Sequence, residues 1–246
     1  MRIFGDDTLI YLGYNDATDT IPQIGRKYAE VYARLAKIVL GTSNTPDISK
    51  TKGFEDFDFY GTNPSEGFVV LKHDGQVIKL SANMEPEAGR SHNLKQISNI
   101  SKWSALAKVS FEGESTSFVV AGYQGSAEKA AVYYCLLNEH LQLYGGTGLE
   151  ILARRVSNLA PPVVSIKSKK FTRTPASGPK QEFSLAFANL ASGEVHILGF
   201  RDQLFLVQKI TSNESTNVCA VSFCDIGDEI YLAGQFYLNV VKIQFV

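Results

Sequence analysis

Short apolar runs that end in a small residue or glycine, often with a polar residue next, recur along the whole chain. They read LIYLGYND (Leu9 to Asp16), QVIKLSANM (Gln76 to Met84), AVYYCLLNE (Ala131 to Glu139), EVHILGFRD (Glu194 to Asp202) and EIYLAGQFY (Glu229 to Tyr237). Four of the five follow a second apolar run and a turn, which predicts hairpins: GFVVLKHDG-QVIKL, TSFVVAGYQGSAEKAAVYYCL, FSLAFANLASG-EVHIL and VCAVSFCDIGD-EIYLA. Asp74-Gly75 reaches positive φ at little cost and suits a tight hairpin turn, and Ser192-Gly193 and Gly227-Asp228 do similar work. Further β-rich pieces, LAKIVLG (Leu35 to Gly41), LAKVSFEG (Leu106 to Gly113), VVSIKS (Val163 to Ser168) and FLVQKITS (Phe205 to Ser212), sit upstream of the hairpins and raise each unit to three or more strands.

One small antiparallel sheet cannot bury both of its faces, and radial packing of repeated sheets around an axis removes that difficulty. The expected fold is therefore all-β, a β-propeller of about five short antiparallel blades in one domain spanning residues 1–246. A closed small ring, an incomplete ring closed by a partner, and a shortened chain are all compatible with the length. LIYLGYND at the start suits a strand that completes the last blade. Helix is scarce, and its best candidate is Gly25 to Ile38, where Tyr28, Val31, Leu35 and Ile38 recur at helical spacing; an insertion helix or a strand are the two readings of this segment. Loops are expected over Thr42 to Ser65 and Lys167 to Gln181, which are rich in Thr, Ser, Pro, Gly and charge.

The tracts AKVSFEGESTSFVVAG (Ala107 to Gly122) and FSLAFANLASGEVHILGFRDQL (Phe183 to Leu204), with GYND at Gly13 to Asp16, resemble the regulator-of-chromosome-condensation repeat. WD-repeat propellers share the strand pattern, but no Trp-Asp ending occurs here. The resemblance implies a propeller and, as an alternative function, guanine nucleotide exchange on a small GTPase. Ala82 and Leu137 stand where the family's repeats carry glycine after the final strand. Seven blades of about 50 residues each also need more chain than is present.

Charge narrows the partners. The sequence holds 24 Lys and Arg against 25 Asp and Glu, a formal net charge of -1, so no overall field draws it to nucleic acid or an acidic membrane. The N-terminus lacks a basic segment followed by a long apolar one, and no apolar run reaches the roughly 20 residues of a membrane-spanning helix. Cys135, Cys219 and Cys224 lack paired metal-ligand spacing and read as core thiols in a reducing compartment. An intracellular protein, nuclear or cytoplasmic and not secreted, is the expectation.

Candidate chemistry is sparse. His73, His92, His140 and His196 each stand apart from other ligand types, so no metal and no cofactor is predicted, and Gly145-Gly146-Thr147-Gly148 lacks the following Gly-Lys-Ser/Thr of a phosphate loop. No catalytic residue and no small-molecule substrate is assigned, and the chain is not expected to be an enzyme. Two segments suit partner binding. In GFEDFDFYG, Glu55, Asp56 and Asp58 alternate with aromatics including Phe57 and Tyr60. That is a docking surface for a basic partner or, equally, an edge strand with Phe57 and Phe59 inward. In IKSKKFTRTPASGPK, Lys169, Lys170 and Arg173 flank Phe171, a local basic patch able to meet phosphates. The leading expectation is a noncatalytic scaffold or adaptor whose propeller loops recognise another protein, obligate or a second copy in a homodimer. A nucleic-acid- or chromatin-associated subunit is a further alternative. Trp103 is expected to anchor a blade interface.

Overall fold

The computed structural model describes residues 2–3, 8–15, 32–39, 54–61, 66–72, 74–82, 85–97, 100, 102–110, 116–125, 130–144, 148–153, 163–173, 177–200, 203–210, 218–223, 229–234 and 238–242. Eighteen strands lie among them. In chain order these are β1 (Arg2–Ile3), β2 (Thr8–Asn15), β3 (Tyr32–Val39), β4 (Phe54–Phe59), β5 (Phe68–Lys72), β6 (Gln76–Leu80), β7 (Pro86–Asn93), β8 (Lys102–Ser110) and β9 (Thr116–Gly125). They continue with β10 (Ala130–Leu137), β11 (Leu149–Ala153), β12 (Val163–Arg173), β13 (Gln181–Leu190), β14 (Val195–Phe200), β15 (Leu204–Ile210), β16 (Val218–Phe223), β17 (Glu229–Gly234) and β18 (Leu238–Lys242). The strands form five antiparallel meanders, each made of neighbours in sequence: β1 to β3, β4 to β7, β8 to β11, β12 to β15 and β16 to β18. These are the blades of a β-propeller, first to fifth in chain order, and the fold class is the expected all-β one.

The chain divides into two compact units, Met1–Leu94 and Lys95–Val246. In the first, β4 lies against β2 and β3 of the preceding blade. Phe57, Phe68, Val70, Ile78 and Leu80 form the core of the second blade, with Phe59 packed on it. In the second unit, consecutive blades stack face to face. Strand β13 shows how: its residues alternate, and both sets are buried. Ala186, Ala188 and Leu190 pack with Ala105, Ala107, Val109, Val119, Val132 and Tyr134 of the third blade. Leu185 and Phe187 pack the other way, with Phe171, Val195, Ile197 and, from the fifth blade, Ile230 and Leu232. Small alanines on one face and large aromatics on the other let a sheet fit between two neighbours at sheet-packing distance. The first strands of the third and fourth blades, β8 and β12, also approach each other closely, and Ser168 donates a hydrogen bond to the Lys108 carbonyl across that seam.

The hairpin turns follow their sequence chemistry. Gly75 has φ 84° and donates to the Lys72 carbonyl at 2.9 Å, while Asp74 Oδ1 accepts from the Gln76 amide at 3.1 Å. Gly193, with φ 80°, closes the β13–β14 turn in the same way on Leu190.

Several expectations are corrected. Of the two readings of the segment ending at Ile38, the helix gives way to the strand: β3 runs over Tyr32–Val39, paired with β2 from Thr8↔Val39 to Asn15↔Tyr32, and residues 25–31 lie outside the described part. Apolar residues at 32, 33, 35, 36, 38 and 39 recur at near-helical spacing, while alternation puts Arg34 on one face and Lys37 on the other; the ladder with β2 overrides the local period. LIYLGYND does not complete the last blade, because β2 is the central strand of its own. Strands β3 and β15, which overlap LAKIVLG and FLVQKITS, close the blades before them instead of opening the next ones. The predicted loops also contain strands: β4 lies within 42–65, and β12 runs on to Arg173, in register with Gln181 of β13. There the lysines of KSKKFTR occupy strand positions around buried Phe171.

Candidate functional site

Three places offer side chains to a partner: the acidic segment on β4, the basic segment on β12, and the outer rim of the fourth blade. The acidic segment is the first strand of the second blade. Phe57 is buried and Phe59 packs against the core, so the edge-strand alternative holds for this stretch. Their rings meet edge to face at 6.2 Å, and Phe59 lies 5.6 Å from Phe68. Asp58 is buried as well, and its Oδ1 accepts from the Phe59 amide at 2.8 Å; Asp56 Oδ1 accepts from the Phe57 amide at 2.9 Å. Glu55, Asp56 and Tyr60 are half-buried. The Tyr60 ring carries Lys79 Nζ at 3.8 Å from its centroid, and that ammonium also pairs with Glu87 at 2.9 Å.

On β12, Lys169 Nζ lies 5.6 Å from the centroid of Phe171, whose ring stacks on Phe183 at 5.8 Å. Lys170 pairs with Glu182 of β13, and this hydrogen bond and charge hold the Glu182 carboxyl below the usual carboxylate range. Arg173 ends the strand opposite Gln181. The structure brings Lys169, Lys170 and Arg173 together on one strand, and Glu55 to Asp58 on another, in the other unit.

Sequence reasoning missed the third place. Strand β15 is the last of its blade, and Phe205, Leu206 and Val207 are 44%, 38% and 49% exposed. Leu206 pairs with Leu198, which packs on the third blade, whereas Phe205 pairs with Gly199. A Cβ on Gly199 would meet the Phe205 ring at 2.5 Å and Val207 Cγ2 at 3.0 Å, so the glycine is the bed on which those two side chains lie. Leu152 of β11, 61% exposed, belongs to the same rim region, since Lys209 Nζ donates to its carbonyl at 3.0 Å.

Beneath this rim runs a polar link between the third and fourth blades. Tyr134 Oη lies 2.9 Å from His196 Nδ1, both side chains fully buried, and among the described residues His196 Nε2 has no hydrogen-bond partner. Lys209 pairs with buried Glu194 at 2.9 Å, and Glu194 accepts from Ser192 Oγ at 3.0 Å. Burial first, then the Lys209 charge, lower the His196 pKa to about 4, against an opposing pull from Glu194. Burial, reinforced by the Glu194 charge, pushes the Tyr134 phenol well up. With the phenol neutral, its O–H is the donor and Nδ1 of neutral His196 the acceptor.

The other sequence candidates fall outside these places. His92 is half-buried on β7 with its pKa lowered by burial, and His140 is exposed beside Glu139 at 3.4 Å. Trp103 is buried on β8 against Gly122 of the same blade. Cys135 is a buried free thiol pushed up to about 12 by burial. His73, Cys224 and residues 145–147 lie outside the described part. Among the described residues, no helix is long and apolar enough to cross a membrane.

No family model matches the chain, and no curated protein matches it. Among solved structures, the β-propeller domain of Nup133 from Vanderwaltozyma polyspora superposes with a TM-score of 0.43 at 9% sequence identity, covering 92% of this chain. The chain spans 63% of that domain's length. The fold class rests on the blades themselves, not on this likeness.

Proposed function

We propose that this chain is a noncatalytic protein-interaction module, a single propeller domain over residues 1–246 that serves as scaffold or adaptor in an intracellular complex. The observation that carries this is the rim of the fourth blade, where three consecutive apolar residues of an edge strand stand in solvent. Edge strands template pairing with other chains, and soluble proteins guard them with charge, proline or cover. Apolar groups on a rigid blade with an open edge are the elements of a docking surface. Glu55, Asp56 and Tyr60 with Phe57 and Asp58 behind them, and Lys169, Lys170 and Arg173, are proposed as secondary contacts. The thiol of Cys135, free and buried, suits a reducing compartment.

A test is affinity purification of the full chain and its Leu206→Asp variant from the source cells, with a differently tagged second copy also expressed. The variant is expected to recover at least one co-purifying protein about tenfold less, because a desolvated carboxylate opposes docking. Equal recovery of every protein by both chains would overturn the assignment. Guanine nucleotide exchange is the alternative that the repeat resemblance implies. An interaction module leaves nucleotide release from a panel of small GTPases unchanged, and acceleration of any of them would favour the alternative.

A further inference from the structure

We propose that the occupant of the fourth-blade rim is a second copy of this chain, paired antiparallel with it along β15 so that Leu206 faces Leu206 and Phe205 faces Val207. The inference rests on the docking role of this rim and names what docks there.

Four other blade edges show what a guarded edge looks like in this protein. Strand β7 carries Pro86, Glu87 and Arg90, β4 carries Glu55 and Asp56, β12 carries Lys167, Lys169 and Lys170, and β11 carries Glu150. Among the residues whose side-chain burial is described, β15 alone presents three consecutive exposed apolar side chains. A strand added to this edge must match apolar groups on both of its faces, since Leu206 shares the face of Leu198 while Phe205 and Val207 lie together over Gly199 on the other. Ordinary alternating strands are polar on one face and do not meet that demand. A second β15 does. In antiparallel pairing about Leu206, the two leucines meet on one face, and on the other each phenylalanine meets the partner's valine, an aromatic and β-branched cross-strand pair. No charge enters the paired stretch.

The length of the pairing is also set by the structure. The register of β14 with β15 shifts between Ile197 and Leu198, leaving Val207 as the bulged residue without a partner on β14, so the added ladder is confined to the residues around Leu206 and ends at Val207. Three central residues per copy are far fewer than the roughly 20–30 per side of a stable interface. The dimer is therefore weak and depends on concentration.

Light scattering on the full chain over a dilution series tests this. A monomer-to-dimer transition is expected for the wild type. Leu206→Lys, which sets two ammonium groups against each other, is expected to weaken it about tenfold or more with unchanged thermal unfolding. Should that variant misfold, oxidation of cysteine variants gives the same answer. Directly opposed residues lie at about 4.5–5.5 Å between Cα atoms, within disulfide reach, so Leu206→Cys should form a covalent dimer above the wild-type background. Gln208→Cys should not, because four residues of stagger separate its two copies by about 13 Å. A chain that stays monomeric up to its solubility limit overturns self-pairing, as does equal cross-linking at 206 and 208. If Leu206→Asp still loses a different cellular protein while the chain is monomeric, self-pairing falls and the docking role stands. If neither association changes, both fall.

Discussion

Replacing Phe187 by alanine is expected to destabilise the Lys95–Val246 unit by about 3–5 kcal/mol, the range for removing a buried aromatic ring. Phe187 is 1% exposed on the central strand β13, 6.3 Å from Phe171 in a tilted arrangement, and it packs with Ile197 and with Ile230 and Leu232 of the fifth blade. The lost ring therefore leaves a cavity at the seam between two sheets, where backbone ladders on both sides resist collapse. Phe187→Leu keeps much of the volume and should lose distinctly less. Chemical denaturation followed by fluorescence and circular dichroism measures both. A loss below about 1 kcal/mol for the alanine variant would mean that the fourth and fifth blades do not pack through this face.

A second large effect is expected from acid. His196 has a folded-state pKa of about 4 against an unfolded value of 6.5, so between these values the unfolded chain binds the proton and the folded chain refuses it. Stability is fully present above pH 6.5, falls as pH drops through the window from 6.5 to 4, and levels off below it. Integrated over the window, this one side chain contributes about 3 kcal/mol. Protonation at Nδ1 removes the acceptor that Tyr134 uses and sets an imidazolium beside the Lys209 ammonium, with the Glu194 carboxylate opposing that repulsion. The blade contact between β10 and β14 is where acid acts. His196→Gln is expected to be less stable at neutral pH, yet to show a flatter dependence between pH 6.5 and 4. Denaturant midpoints across that range decide it, and an identical slope in the variant would exclude His196 as the titrating group.

Much of the blade pattern was legible because it is written in neighbouring residues. Asp74-Gly75 and Ser192-Gly193 mark turns by their backbone needs, and FSLAFANL displays a strand whose two faces are both apolar. What was not legible depended on partners distant in sequence. Tyr32 to Val39 follows a near-helical period, and only the ladder with β2 makes it a strand. KSKKFTR looks like a loop by composition, while its pairing with β13 makes it a strand. FLV in β15 reads as core by hydrophobicity; its position at the outer edge of a sheet is what leaves it in water. Tyr134 and His196 are 62 residues apart, and no local signal joins them. The acid and aromatic segment was read correctly in one of its two forms, since Phe57 and Phe59 turn inward as an edge strand requires.

The most direct test of the interaction module is hydrogen exchange at residues 204–210, compared between the dilute, isolated chain and the chain in the assembly recovered from its cells. The outward-facing amides of β15 should exchange quickly in isolation and slow at least tenfold on assembly, while those bonded to β14 change little. Exchange at β15 that is equally fast in both states, with protection appearing elsewhere, would contradict the account.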